Sequence, residues 1–441
     1  MKFPIYLLIF LLFLNFLNCK KTSTPDMSPE LSLTLEYVSI TEVELGLHLN
    51  SPVSPHDFQL LRDNETIMVG PLRMSDTTLY DTLLLPASNY TYQAVVQQTN
   101  GVTVQSPELS LTTMDTTSHN YSWEIFTIGN SPIENELYDV SIIDPDDIWV
   151  VGFINVRSFS NPSEDKFYNA VHWNGSEWEY HQIYLKDFMG NNYLAFLQSV
   201  FALNSDDVWV FGYIGAYGHW DGSHWEGEYV WEMSGDVERI WGNHSQNLYF
   251  AGDRGNITRF DGQQWINMSS KTSIRLRDIS GYSDPQNSNE IVYSCGFSDD
   301  FLDGIILVKP EKEWMILDDG NQGPVSKLDN KNFASLWVTG RNVFYVTAFN
   351  KAYKVKTLAG NPHRVKNILS ADRGIYRIRG DAENNMFVVG ERVKLRHYNG
   401  YSWKHYTELD NLVVVMEGLD VKGDLVVAAG GDKIIMGKRR N

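Results

Sequence analysis

Two kinds of patterned run alternate along the last three quarters of the chain. The first starts at a pair of turn formers, continues through apolar residues and ends on a small one, as in Asp146-Asp147-Ile148-Trp149-Val150-Val151-Gly152 and Asp206-Asp207-Val208-Trp209-Val210-Phe211-Gly212. Weaker copies begin at Gln246, Asn384 and Gly423. The second reads aromatic, Asn or Asp, Gly, any two residues, Trp: Trp173-Asn174-Gly175-Ser176-Glu177-Trp178, Trp220-Asp221-Gly222-Ser223-His224-Trp225, Phe260-Asp261-Gly262-Gln263-Gln264-Trp265 and Tyr398-Asn399-Gly400-Tyr401-Ser402-Trp403. Asn-Gly and Asp-Gly supply the positive φ angles of a type I′ turn, and the flanking aromatics suit pleated strands, so each phrase predicts a hairpin. A shorter apolar strand precedes each unit, at 137–143, 197–203, 237–241, 276–280, 333–338, 375–378 and 412–419.

Three or four strands recurring every 40 to 50 residues or so predict the blades of a β-propeller. Degenerate copies complete the count: Lys309-Pro310-Glu311-Lys312-Glu313-Trp314 keeps the turn-to-Trp spacing, and Asn342-Val343-Phe344-Tyr345-Val346 keeps the middle strand. That gives seven inner strands over residues 122–441, roughly 46 residues per blade. The last unit ends without a hairpin or an outer Trp strand, whereas Ser122-Trp123-Glu124-Ile125-Phe126-Thr127 stands alone before the first. A 122–128 strand placed in the last blade would close the ring and leave no open edge.

These phrases resemble the repeats of bacterial seven-bladed propellers that read Asp-Asp-Val-Trp-Ala-Val-Gly and then Asp-Gly-x-x-Trp. The resemblance implies an architecture and no activity. The Asp-box phrase of sialidase-type propellers places one residue between Asp and Gly, whereas Asp221 and Gly222 are adjacent. WD-repeat and kelch phrases are absent.

At the N-terminus, Lys2 precedes an apolar stretch from Phe3 to Leu17, shorter than the roughly twenty residues that span a bilayer. With Cys19 at its end it resembles a bacterial lipoprotein signal (1–18), which implies a lipidated Cys19 and a polar tether over 19–30. Phe16 and Asn18 depart from the usual box around such a cysteine, and an ordinary secretory signal or a retained anchor are the alternatives. The expectation is a lipid-anchored protein of the bacterial cell envelope.

Residues 31–116 read as seven short strands, which suits a β-sandwich. Leu84-Leu85-Pro86-Ala87-Ser88-Asn89-Tyr90-Thr91-Tyr92 resembles the fibronectin type III corner of leucine, proline and tyrosine, although Val43-Glu44-Leu45-Gly46-Leu47 lacks that family's usual tryptophan. Another immunoglobulin-like sandwich would give the same pattern. The predicted fold is therefore all-β: a fibronectin type III-like or Ig-like sandwich followed by a seven-bladed propeller.

The net charge of −19, or −20 once the single positive charge of Lys2 is removed with the signal, disfavours nucleic acid and anionic surfaces. Only two cysteines exist, which excludes a disulfide framework if Cys19 is lipidated; Cys295 is expected to be a buried small hydrophobe.

Sequence chemistry is sparse: no phosphate loop, no nucleophile elbow and no helical metal motif is found. His172, His219 and His397 share one slot before the hairpin aromatic, with Arg259 in the fourth copy, which marks a feature of the repeat. Asp146, Asp147, Asp206 and Asp207 read as turn formers, with a Ca²⁺ role the lesser alternative. The tryptophans are expected to pack between blades. What varies from blade to blade is the middle of the inner strand, read as Asp139, Ser199, Arg239, Asp278, Ser335, Arg377 and Met416. These are the candidate channel-lining binding residues, with mutual hydrogen bonding as the competing reading. Insertions at 155–167, 186–193 and 298–303 are further places for a ligand.

The sequence favours a non-catalytic module, expected to be monomeric and to have no cofactor or metal, that binds or scaffolds a protein or glycan. The alternative is a propeller-type glycoside hydrolase or lyase, for which Glu417, Asp278, Arg239 and Arg377 are the nameable candidates.

Overall fold

A computed structural model describes residues 30–50, 56–97, 101–130, 135–158, 165–213, 215–233, 235–284, 289–325, 331–357 and 363–440. Cys19 and the signal and tether regions lie outside the described residues. Two compact units are present, one holding Val43–Thr82 and Asn89–Thr112, the other Thr113–Asn441. No helix among the described residues is long and apolar enough to cross a membrane.

The smaller unit has two antiparallel sheets. One orders Leu31–Val38, Glu42–Leu49 and Asp76–Thr82; the other runs Glu65–Leu72, His56–Arg62, Asn89–Gln97 and Thr103–Gln105, with Leu109–Thr112 also pairing to Asn89–Gln97. Burial alternates along the strands, so that Val43, Leu45, Leu47 and Leu49 turn inward, as do Tyr92, Ala94 and Val96. Tyr92 donates its hydroxyl to Asp81 at 2.7 Å.

The larger unit is a propeller. Among the described residues, seven four-stranded antiparallel sheets follow one another. The first sheet comprises Glu136–Asp144, Asp147–Val156, Lys166–Trp173 and Trp178–His181; the second, Leu197–Asn204, Asp207–Gly212, Ala216–Trp220 and Trp225–Tyr229; the third, Val237–His244, Asn247–Gly252, Ile257–Phe260 and Trp265–Met268. The fourth comprises Leu276–Ser283, Glu290–Phe297, Gly304–Lys309 and Met315–Asp318; the fifth, Phe333–Gly340, Val343–Ala348, Lys351–Lys356 and Arg364–Ser370; the sixth, Ile375–Ala382, Asn385–Gly390, Val393–Tyr398 and Trp403–His405. The seventh, Gly418–Lys422, Leu425–Gly430 and Lys433–Arg439, takes its fourth strand from Tyr121–Thr127, which runs antiparallel with Ile125 opposite Ile435. Successive first strands are neighbours, and that of the seventh sheet abuts that of the first, so the ring closes and no sheet edge is left at the join.

The core lies between sheets. One cluster joins Val150 and Ile154 of the first sheet to Val427 and Ile434 of the seventh; another joins Trp149 and Val151 to Val208 and Val210 of the second. The hairpin tryptophans sit at the same seams: Trp225 packs on Trp149 of the preceding sheet with centroids 5.4 Å apart, and Trp265 on Trp209 at 6.3 Å. Cys295 is wholly buried beside Ile306 and Phe344.

The hairpin phrases correct the type I′ expectation. A type I′ turn needs positive φ at both central residues, yet in Trp173-to-Trp178 and Trp220-to-Trp225 only the glycine has it, at 91° for Gly175 and 88° for Gly222. The strands pair at Trp173 with Trp178 and Trp220 with Trp225, leaving a four-residue loop. The Asn or Asp starts it as an Asx turn: Asp221 Oδ1 accepts from the backbone N–H groups of Ser223 at 2.8 Å and His224 at 2.9 Å.

Candidate functional site

The slot shared by His172, His219, Arg259 and His397 has one structural job. Each side chain reaches the first residue of the neighbouring strand: His172 Nε2 to Asp147 at 2.8 Å, His219 Nε2 to Asp207 at 2.9 Å, Arg259 Nε to Asn247 at 2.8 Å and His397 Nε2 to Asn385 at 3.1 Å. Each imidazole also stacks on the aromatic two residues beyond that partner, with centroids 4.4 Å apart for His172 on Trp149, 4.1 Å for His219 on Trp209 and 4.4 Å for His397 on Phe387. Asp147 and Asp207 are thereby engaged within the repeat.

The first strands bring polar residues together in two rows around the central channel. Register defines the upper row as the partners of Val151, Phe211, Ala251, Cys295, Thr347 and Val389, namely Asp139, Ser199, Arg239, Asp278, Ser335 and Arg377. In the seventh sheet the partner of Ala429 is Gly418. Met416 therefore does not occupy the slot read for it from the sequence; it is wholly buried in the core between the sixth and seventh sheets. Gly418 lies so close to Asp139 that an added Cβ would come within 3.0 Å of its Cα. The lower row, two residues on, was missed by sequence reasoning: Ser141, Phe201, Trp241, Ser280, Trp337, Arg379 and Asp420.

These rows link the sheets. Asp139 accepts from Ser199 Oγ at 2.8 Å and the Val200 N–H at 3.2 Å; Asp278 accepts from Ser335 Oγ at 2.5 Å and the Leu336 N–H at 3.0 Å. Ser335 Oγ in turn accepts from the Ile378 N–H at 3.2 Å. In the lower row Ser141 accepts from Ala202, Ser280 from Val338 and Asp420 from Ile142, at 3.1, 3.2 and 2.7 Å. A side chain on one sheet thus satisfies a backbone N–H on the next, where two first strands splay apart and cannot pair.

Arginines fill the remaining space. Arg239 donates to the carbonyls of Gln198, Glu238 and Tyr138, from three sheets, and of Glu417, just before the seventh. Arg379 meets Asp278 with both terminal nitrogens at 2.8 Å. Burial raises the Asp278 carboxyl, but Arg379, its hydrogen bonds, Arg377 and Ser335 outweigh that and hold it down to about 2. Burial and the neighbouring Arg239 cation lower Arg377 to about 10. Burial pushes Asp420 up to about 6, only partly offset by N–H donors from Ile142 and Val421. A cavity of about 250 Å³ remains beside the lower row, reached by Trp241, Trp337 and Arg379.

A second cavity, of about 240 Å³, opens where the first strands begin, lined by Glu238, Arg277, Phe297, Phe301, Ala334, Tyr376, Arg377 and Glu417. Arg377 is 7% exposed and donates to the carbonyls of Ala334 and Tyr376 at 3.3 and 3.2 Å, but its Nε has no hydrogen-bond partner. Among the described residues no carboxylate lies within ion-pair distance of it, although Asp278 and Asp139 act on its charge from further away. Arg277 lies over the Phe297 ring at 4.6 Å, and Phe297 stacks on Phe301 at 5.3 Å. Phe301 is 60% exposed at the tip of the 298–303 turn, with φ 62°. Glu238 is already engaged by Arg275 Nε at 2.6 Å. The insertion at 186–193 forms a small hairpin pairing Tyr184–Lys186 with Asn192–Leu194, and the middle of the 155–167 insertion lies outside the described residues.

No family model matches the chain, and no curated protein matches it. Solved propellers do. The chain is similar to YCF48 bound to D1 peptide (TM-score 0.54, 14% identity, 72% of this chain and 96% of that one) and to the WD40 β-propeller domain of Doa1 (0.52, 11%, 73% and 98%). It is also similar to virginiamycin B lyase from Staphylococcus aureus (0.50, 11%, 73% and 100%). At these identities the similarity establishes the propeller fold alone.

Proposed function

We propose that this chain is a lipid-anchored cell-envelope protein whose seven-bladed propeller binds an extended segment of a protein partner, without catalysis, at the cavity formed by Arg277, Phe297, Phe301, Tyr376, Arg377 and Glu417. The observation that carries the reading is the pairing of a buried Arg377, whose Nε has no hydrogen-bond partner, with the exposed Phe301 at one opening. A guanidinium with an unused donor suits carbonyl and carboxylate oxygens, and stacked aromatics on a turn suit an apolar side chain. Among the propellers similar in fold, YCF48 is described bound to a peptide, which supports the same class of ligand here. Two of the four candidates for hydrolase or lyase chemistry are engaged elsewhere, Asp278 by Arg379 and Ser335 and Arg239 by four carbonyls, while Arg377 and Glu417 line the proposed cavity. The smaller unit, read as a fibronectin type III-like sandwich, serves in this reading as a spacer between the acylated Cys19 and the propeller.

The test presents the full chain to a random-peptide array and a glycan array in parallel. The reading predicts peptide binding that weakens on Phe301→Ala; glycan binding alone, insensitive to Phe301→Ala, overturns it. Metabolic labelling with a fatty-acid analogue, lost on Cys19→Ser, tests the anchor.

A further inference from the structure

His172, Glu179 and His181 converge on one face of the first sheet. Register sets His172 directly opposite Glu179, and His181 lies two residues along the same strand, so all three side chains share that face. His172 Nδ1 and His181 Nε2 each lie 3.9 Å from Glu179 Oε2, and the three ligand atoms all fall within 4.8 Å of one another.

The repeat accounts for His172. His172 uses Nε2 for the bond to Asp147 that its counterparts also make, which leaves Nδ1 turned to Glu179. At the Glu179 and His181 positions the second sheet carries Glu226 and Glu228, and the third carries Ile266 and Met268. Glu179 thus has a glutamate counterpart in the second sheet, whereas His181 is matched in neither of these sheets and completes the cluster only in the first. Their surroundings arm them: Asn174 donates to Glu179 Oε1 at 2.7 Å, leaving Oε2 free, and His181 Nε2 is buried without a hydrogen-bond partner.

We propose that His172 Nδ1, Glu179 Oε2 and His181 Nε2 bind a borderline divalent transition metal, with Zn²⁺ as the reference ion. Two imidazoles and one carboxylate are a zinc-type donor set, whereas Ca²⁺ needs six or more oxygens. Zinc bonds of about 2.0–2.2 Å set tetrahedral ligand atoms roughly 3.3–3.6 Å apart, so the two 3.9 Å separations close by a few tenths of an ångström and the His172–His181 separation, within 4.8 Å, by no more than about 1.5 Å through side-chain rotation. Asp147 orients His172 from its far nitrogen, the arrangement that fixes tautomer and ring direction at metal-bound histidines. Glu179 is 47% exposed, which leaves an approach to the fourth position for water or a side chain from a partner.

The test is calorimetric titration of the untagged full chain with Zn²⁺ after chelator treatment, repeated on His181→Ala, Glu179→Gln and the control His224→Ala, an exposed histidine of the second sheet. The expected result is one equivalent bound, insensitive to excess Ca²⁺, with affinity falling more than about tenfold in the first two variants and unchanged in the control. Because Trp149 stacks on His172, Cu²⁺ should quench its fluorescence in the wild type and not in His181→Ala. Unaltered melting temperatures separate loss of a ligand from loss of fold. No binding heat up to millimolar Zn²⁺, or binding unchanged in His181→Ala and Glu179→Gln, overturns the proposal.

Discussion

Arg379 of the sixth sheet grips Asp278 of the fourth, with a terminal nitrogen on each carboxylate oxygen at 2.8 Å, while Ser335 of the fifth donates to the same carboxylate. Three sheets that contribute no shared backbone ladder are thus held by one wholly buried anion. Removing one partner of such a pair strands the other charge. Asp278→Ala is expected to cost about 3–5 kcal/mol in denaturant unfolding. In a double-mutant cycle with Arg379→Ala the two losses should be far from additive.

The two channel aspartates predict opposite pH dependences. Asp278 has a folded pKa of about 2 against an ordinary aspartate value of 3.8, so its contribution is full above the unfolded pKa and is lost as pH falls through the folded one. Asp420 is raised to about 6, so its neutral form favours folding; that stability is full below pH 3.8 and is lost as pH rises through 6. Asp420→Asn should therefore gain stability relative to wild type between pH 4 and 7, on the order of 2 kcal/mol, read from urea midpoints across that range.

Hairpin glycines divide by what surrounds them. Gly222 and Gly190 both have positive φ, 88° and 83°, but a Cβ on Gly222 would lie 2.6 Å from Asp206 Oδ1 whereas one on Gly190 would meet nothing within 4 Å. Gly190→Ala should cost about 1 kcal/mol from backbone strain alone, and Gly222→Ala measurably more, by thermal or denaturant unfolding.

Much of the propeller was legible because its turn chemistry is local. The Asn-Gly and Asp-Gly phrases mark hairpins whatever their loop length, although sequence alone could not tell a two-residue turn from the four-residue Asx loop that Asn174 starts. The first strands were less legible because their register carries bulges, as between Leu137 and Asp139, and the seventh strand has no polar residue at the upper-row position. That irregularity led to Met416 in place of Gly418 and hid the lower row, including Arg379 and Asp420. Arg377 and the 298–303 insertion were both visible in the sequence, but nothing in their spacing joins them. The fold brings them to one cavity by setting the fourth and sixth sheets around a common channel. His181 carried no signal, since only strand register places it beside His172.

The most direct test of the proposed binding site replaces Phe301 with a photocrosslinking phenylalanine analogue in the full chain expressed in cells of its source organism, with the same analogue at Met315, 48% exposed on an outer strand, as control. The account predicts adducts at position 301 containing a defined peptide segment of one protein, reduced by Arg377→Lys and absent at position 315. Adducts at 315 and none at 301 would contradict it, placing partner binding on the outer faces of the sheets.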